Sequence, residues 1–412
     1  MAPCEILFVH QNMPGQFRHL AATLAKTPEF RVTFLTRREG VAMPGVTVAR
    51  YPSPDARRET SEPLLAPVEM AVRFGRAVLS AALELRTRGY APHLIVVHPG
   101  WGEGLFLRDV WPNARIISYG EYYYHADGGD IGFDPMFPAT PEGLARARLM
   151  NTHLLLAHEQ ADRVLSPTHW QKDRHPALLR DRIEVIFDGV DTARLDPATR
   201  HTAPFVTDDG AVLGVQDEVI TYVARNLEPH RGFPVLMRAL PRLLAQRPRA
   251  RIVIVGGEDV SYSPKPRHPH ASWKQAMLAE IDLGTAASRV HFVGKLPYQR
   301  YVDLLAASSV HLYLTYPFVL SWSCVEAMAA GCLIVASDTG PVREVIEHGR
   351  HGLLFPFFDG EAMVAAICDA LEDPVRGQAM REAARARAVE RYDLRTCLLA
   401  QVSLLDQVLA GN

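Results

Sequence analysis

Arg225 and Arg231 stand six positions apart, just after an apolar run at residues 219–223. Guanidinium groups beyond a strand's carboxyl end can each offer two parallel N–H groups to phosphate oxygens, so the pair suits a diphosphate. Gly232 then leaves room for the next helix to start. Further on, Val325-Glu326-Ala327-Met328-Ala329-Ala330-Gly331 reads as a short helix with one acid and a glycine stop, followed by an apolar strand at 333–338. In an open α/β sheet such a helix points its N-terminus at the crevice beyond the strand ends, where anions are favoured. A carboxylate one turn inside that helix repels phosphate, but it can accept hydrogen bonds from the two hydroxyls of a ribose. Ser321 and Ser323, just ahead of it, could serve as phosphate ligands near the helix start, and Ser323 also reads as an N-cap.

The first half offers a second set. Pro14-Gly15-Gln16 follows an apolar run at 6–10, and Gly15 would let the backbone approach a phosphate or sugar, or simply make a βα turn. Asn12 and Gln16 can hydrogen-bond there. His98 closes the run at 94–97 and precedes Pro99-Gly100-Trp101-Gly102, which aims it at the same crevice. Glu121 lies beyond the run at 116–119 as either a ligand for a hydroxyl or a loop carboxylate. Tyr122, Tyr123, Tyr124 and His125 then read as an aromatic wall for an acceptor or as loop packing.

These residues must be held by something regular. Apolar runs at 6–10, 32–35, 94–97, 116–119, 164–166 and 183–187 have the composition of buried parallel strands. Helical patterns at 17–25, 67–88 and 141–161 alternate with them. Around 188–214 the pattern dissolves into Asp, Pro, Thr and Gly, which marks a hinge. A second series follows, with strands at 219–223, 252–255, 290–292, 310–314, 334–337 and 352–355. The expectation is α/β, with two doubly wound Rossmann-like domains facing each other across a cleft. Their bounds are 1–195 and 196–388, with a C-terminal helix at 389–412 expected to pack back on the first domain. Two stretches, 119–138 and 258–273, read as loops.

Composition narrows the function classes. Apolar residues make up 48% of the chain and charged ones 22%, ordinary for a protein with sizeable cores. A formal charge of −2 gives no basic face for nucleic acid. The five cysteines, Cys4, Cys324, Cys332, Cys368 and Cys397, are scattered and odd in number, which predicts free thiols and a reducing compartment. No leader and no membrane-length apolar run is read, so the cytoplasm is the expected location. Arg37 and Arg38, together with the arginines of 67–88, could touch an anionic membrane or acceptor, but Glu69 and Glu84 offset the helix and a solvated face is the better reading. His268 and His270 lack metal-ligand partners, so no metal is assigned.

In this order the motifs resemble the retaining nucleotide-sugar glycosyltransferases of family 4, which have the GT-B fold. Arg225 through Gly232 is similar to the family's phosphate motif, with Arg231 where lysine is usual. Glu326 matches the second acid of its paired-glutamate motif, the ribose ligand. Asp338-Thr339-Gly340 and the stretch from Glu344 to Leu353 are similar to the segment that follows. Phe187-Asp188-Gly189-Val190-Asp191 resembles the family's interdomain signature. The first motif acid is replaced by Phe318, which leaves the donor sugar unassigned, and Glu121 stands where a histidine near the donor sugar is common. The resemblance implies a hexosyltransferase-like enzyme that moves a sugar from a nucleoside diphosphate donor, UDP or GDP, to an acceptor hydroxyl with retention. It implies no cofactor and no metal. Arg225, Arg231, His98 and Glu121 carry the chemistry, while Gly15, Gln16, Arg225, Arg231, Ser321, Ser323 and Glu326 bind the donor. A glycan, a lipid-linked molecule or a small molecule is the acceptor. A nucleotide-sugar epimerase and an inactive nucleotide-sugar-binding module stay open beside it.

Overall fold

Ile6, Leu7, Phe8 and Val9 are all fully buried. A strand with no solvent-facing side needs apolar residues at consecutive positions, which is why this run does not alternate. The computed structural model describes residues 3–54, 62–197, 204–214 and 217–411. Within them the chain forms two units, one comprising 1–189 and 395–412, the other 190–394.

The first unit is a seven-stranded parallel sheet in the order β3-β2-β1-β4-β5-β6-β7. Its strands are β1 (Cys4–Val9), β2 (Phe30–Thr36), β3 (Val46–Arg50), β4 (Leu94–Val97), β5 (Arg115–Tyr119), β6 (Arg163–Ser166) and β7 (Ile183–Val185). β3 was not legible in the sequence. It is an edge strand of mixed polarity, Val-Thr-Val-Ala-Arg, with no fully buried residue. The helical pattern expected over 141–161 is two helices, Pro141–Met150 and Thr152–Gln160, parted at Asn151. Asn151 is buried, and its side chain bonds the backbone of Tyr124 in both directions, at 2.9 and 2.8 Å. The helix Leu394–Ala410 also belongs to this unit. Its Leu404, Leu405 and Val408 join Ile6, Phe8, Phe17 and Leu20 in one core.

The second unit carries β8 (Phe205–Val206), β9 (Val212–Leu213), β10 (Glu218–Asn226), β11 (Ala250–Gly257), β12 (Val290–Gly294), β13 (Val310–Tyr313), β14 (Leu333–Ser337) and β15 (Leu353–Phe355). Six of these form a parallel sheet in the order β12-β11-β10-β13-β14-β15. β8 and β9 pair antiparallel inside the segment read as a hinge, because buried Phe205 and Leu213 reach the core beside Val219, Val253 and Val293. Residues 198–203 of that segment lie outside the described residues. At its start, Val190 N–H donates to the Tyr392 carbonyl and Leu394 N–H donates to the Val190 carbonyl, each at 2.9 Å.

Both sheets are doubly wound. The strand order reverses between β1 and β4 in one unit and between β10 and β13 in the other. Ligands of open α/β sheets bind beyond the carboxyl ends of the strands at such reversals. None of the five cysteines, all among the described residues, forms a disulfide.

Candidate active site

At the reversal in the second unit, β10 runs to Asn226, past a register shift after Val223. Arg225 therefore stands on the strand, a correction to its expected place in the loop. It is exposed and makes no hydrogen bond or ion pair among the described residues. Arg231 is the opposite case. It is 9% exposed, and its Nη1 donates to Thr315 Oγ1 at 2.6 Å and to the Val319 carbonyl at 3.3 Å. It is thereby fixed to the loop that feeds the helix Trp322–Ala329. Gly232 has φ +72°, and a Cβ there would come 2.5 Å from Leu314 Cβ, so glycine is required.

The helix Trp322–Ala329 has Ser321 as its N-cap without a side-chain cap bond, which corrects the reading of Ser323 as the cap. Ser321 N–H donates to Tyr313 Oη at 2.9 Å. Among the described residues the hydroxyls of Ser321 and Ser323 carry no hydrogen bond, which leaves them and the first-turn N–H groups for an anion. Glu326, half-buried one turn in, accepts from Tyr298 Oη at 3.0 Å. Tyr298 is itself faced by the Arg194 guanidinium 4.7 Å from its ring centroid. Burial, then the neighbouring Glu326, push the Tyr298 phenol far up, so it stays a donor.

Phe318 is buried, its ring 4.6 Å from that of His230 and 4.9 Å from that of Tyr262. The Tyr316 ring is tilted against His230, with centroids 4.7 Å apart. An acid at 318 would lose its hydration in this aromatic cluster. Burial and then Arg231 hold His230 well below the usual imidazole range, so it stays neutral. Glu228, fully buried, takes the N–H groups of Ser261, Tyr262 and Ser263 on one oxygen at 3.0, 3.0 and 2.9 Å. That contact holds the 258–272 loop, whose Tyr262 ring lies 5.7 Å from the Arg231 guanidinium.

In the first unit the reversal sets two histidines side by side. Val9 and Val97 are paired in register, so His10 and His98 follow adjacent strand ends, with ring centroids 4.7 Å apart. Each Nδ1 accepts a backbone N–H two residues on, from Asn12 at 2.9 Å and from Gly100 at 3.2 Å. Each Nε2–H is thereby left to donate. His10 donates to Gln16 Oε1 at 2.8 Å, and Gln16 Nε2 donates to Glu121 Oε1 at 2.6 Å. His98 Nε2 donates to the other oxygen, Oε2, at 3.2 Å. The relay from His10 through Gln16 and the bond from His98 both end on Glu121. Burial raises that carboxyl, but the hydrogen bonds from His98 and Gln16 outweigh it and hold Glu121 below the usual range. Burial, then the proximity of His98, lower His10 to about 3. Gly15, at φ +51°, leaves room for the His10 ring, since a Cβ would sit 2.4 Å from Nε2.

The structure thus assembles Gly15, Gln16, His98 and Glu121 in one unit, and Arg231, Ser321, Ser323 and Glu326 in the other. Arg225 stands alone at its strand end. His10, Tyr298, Thr315 and Glu228 went unread in the sequence. Only His10 carried a signal, a polar residue ending an apolar strand as His98 does. Tyr122 is a buried loop residue whose hydroxyl donates to Asp130 at 2.8 Å, rather than an open wall. Behind the histidines, Glu103 is fully buried, with Trp101 N–H at 3.1 Å and Tyr51 Oη at 3.4 Å as its partners. Burial raises it to about 7. Among the described residues, no group of three His, Cys, Asp or Glu is placed to hold a metal ion. No described helix is long and apolar enough to cross a membrane.

Comparison with known proteins follows these divisions. A family model described as Glycosyl transferase family 4 group matches residues 28–195, and one described as Glycosyl transferases group 1 matches 209–387. The chain is 29% identical to the D-inositol 3-phosphate glycosyltransferase of Streptomyces avermitilis, over 60% of this chain and 52% of that one. It is 32% identical to the phosphatidyl-myo-inositol mannosyltransferase of Mycolicibacterium smegmatis, over 59% and 55%. The aligned part thus spans about half the length of these curated relatives. Among solved structures, sucrose-phosphate synthase of Thermosynechococcus elongatus superposes with a TM-score of 0.73 at 20% identity, covering 99% of this chain and 100% of that one. Anabaena Alr3699/HepE in complex with UDP-glucose superposes with a TM-score of 0.66 at 18% identity, covering 98% and 99%.

Proposed function

Because this chain belongs to the family 4 glycosyltransferases, with the GT-B fold, we propose that it transfers a sugar from a nucleoside diphosphate sugar to an acceptor hydroxyl with retention at the anomeric carbon. The observation that carries this reading is the pair of arginines at the second unit's strand reversal. Arg231 is fixed by Thr315 and Val319, and Arg225 is exposed without a protein partner. Negative charge builds on the diphosphate as the sugar leaves; Arg231, already fixed, stabilises that charge without reorganising, and Arg225 adds a second cation from its strand end. Donors at the start of Trp322–Ala329 add to it, and Glu326 orients the ribose. These groups take the part a metal would otherwise play.

In the first unit, Glu121 accepts from a sugar or acceptor hydroxyl, because His98 and Gln16 keep it ionised and oriented. The acceptor proton passes to the departing phosphate, so no protein base is required. UDP and GDP are the donor nucleotides favoured here, UDP being the one named in the HepE complex. The inositol-based acceptors in the relatives' names favour a polyol or sugar hydroxyl.

The test is calorimetry with UDP, GDP and their sugars, followed by product analysis with and without candidate acceptors. Binding of one nucleotide and acceptor-dependent release of it are expected. No binding of any nucleotide sugar, or conversion of donor to an isomer without acceptor, overturns the reading.

A further inference from the structure

β2 ends at Thr36, and the next two residues are Arg37 and Arg38. Thr36 is fully buried, and its hydroxyl donates to the Gln11 carbonyl at 2.9 Å while accepting Arg38 N–H at 3.2 Å and Met13 N–H at 3.4 Å. The turn after β2 is thereby stitched to the turn after β1. Both guanidinium groups are held by neutral acceptors. Arg37 Nε donates to Gln11 Oε1 at 2.9 Å and its Nη1 to Ser53 Oγ at 3.2 Å, and the Phe74 ring lies 6.0 Å from its guanidinium carbon. Arg38 Nη1 donates to the Met13 carbonyl at 3.1 Å.

Neither arginine has an acid partner among the described residues. The neighbouring helix Ala66–Thr87 shows the contrast, since its Arg73 pairs with Glu69. Among the described residues, Nη2 of Arg37 and Nε and Nη2 of Arg38 stay uncommitted. Two adjacent cations fixed by uncharged groups keep their full charge and repel one another, a cost that a bound anion removes. The turn they clamp is the one that carries His10 and leads to Gln16, which donates to Glu121. A carboxylate ready for a hydroxyl therefore shares its supporting turn with a cationic pair that has no acid partner among the described residues.

We infer that Arg37 and Arg38 are an anion subsite for the acceptor, and that the acceptor carries a phosphate group in addition to the hydroxyl that receives the sugar. Phosphate fits because its double charge matches two guanidinium groups, Arg38 offering the parallel N–H groups of Nε and Nη2 and Arg37 those of Nη2. The inference rests on the glycosyl transfer proposed above. A soluble phosphorylated polyol and a phospholipid headgroup present the same chemistry.

The test measures transfer by the full chain to acceptor pairs that differ only in a phosphate monoester, myo-inositol against its monophosphate and glucose against glucose 6-phosphate. A parallel arm uses vesicles of phosphatidylcholine with and without phosphatidylinositol. Preference for the phosphorylated member is expected in one arm, which identifies the source as soluble or lipid. In Arg37→Gln/Arg38→Gln that preference should fall roughly ten- to a hundredfold, the range of one charge-assisted hydrogen bond. Arg37→Lys/Arg38→Lys should retain part of it, and thermal unfolding checks that both variants fold. Donor cleavage by the unaltered chain with no phosphate preference in either arm, or a preference that survives the Gln pair, overturns the inference and leaves the proposed activity standing. Absence of donor cleavage and transfer altogether removes both.

Discussion

The two strand reversals occupy the same topological position in two parallel sheets, yet their chemistry is opposite. At the end of β10 and just past it stand two guanidinium groups, one exposed and one fixed, with the start of the helix Trp322–Ala329 following β13. Beyond β1 and β4, His98 and the Gln16 amide donate to one carboxylate, Glu121, and His10 donates to the oxygen of that same amide. The fold supplies a place where side chains from adjacent strands meet, and only the residues at the strand ends decide what is bound there. The cationic reversal suits a diphosphate, whereas the one centred on Glu121 suits hydroxyls.

Replacing Arg225 by Ala is the hardest blow to this comparison. It should lower kcat by roughly 100- to 1000-fold, the scale of removing one preorganised charge-stabilising donor. Because Arg225 is exposed and unpartnered, thermal unfolding should not move. A kcat within a few fold of the unaltered chain would make the cationic reversal an ordinary surface.

Glu103 sharpens the other side. Its folded pKa of about 7 lies above the reference value of 4.5, so the stability it contributes is full below pH 4.5 and is lost as pH rises through 7. Relative to Glu103→Gln, the unaltered chain should therefore lose about 3 kcal/mol across that window. Parallel pH–stability curves for the two chains would show that this buried carboxyl titrates normally.

Glu326→Gln should weaken nucleotide binding by roughly 1–3 kcal/mol with little change in a chain tested without ligand, as calorimetry with UDP and GDP will read. Equal affinities would remove Glu326 from the ribose. The smallest effect concerns His98. Its hydrogen bond holds Glu121 low, so His98→Ala should raise the Glu121 carboxyl and move the acid limb of the kcat/KM profile to higher pH. An unmoved limb would detach Glu121 from the rate.

Much of this was readable from residue order. Strands buried on both faces write themselves as apolar runs, and Arg231, Glu326, His98 and Glu121 all follow or face the ends of such runs. What stayed hidden depends on contacts distant in sequence. Thr315 is 84 positions from Arg231, and Gln16 is 105 from Glu121. Tyr298 looked like any helix tyrosine until it was placed against Glu326. Phe318 read as a lost acid, whereas the His230 and Tyr262 rings packed against it show an aromatic contact in the acid's place. The edge strand β3 escaped because half-buried positions carry no periodic signal.

Leu404, Leu405 and Val408 have a consequence for how the polypeptide matures. They complete the core around β1, although the whole of the second unit is translated between them and that strand. The later unit can close on itself while the earlier one still waits for its last helix. Shortening the chain from 395 onward should therefore unfold the half made first and spare the half made second.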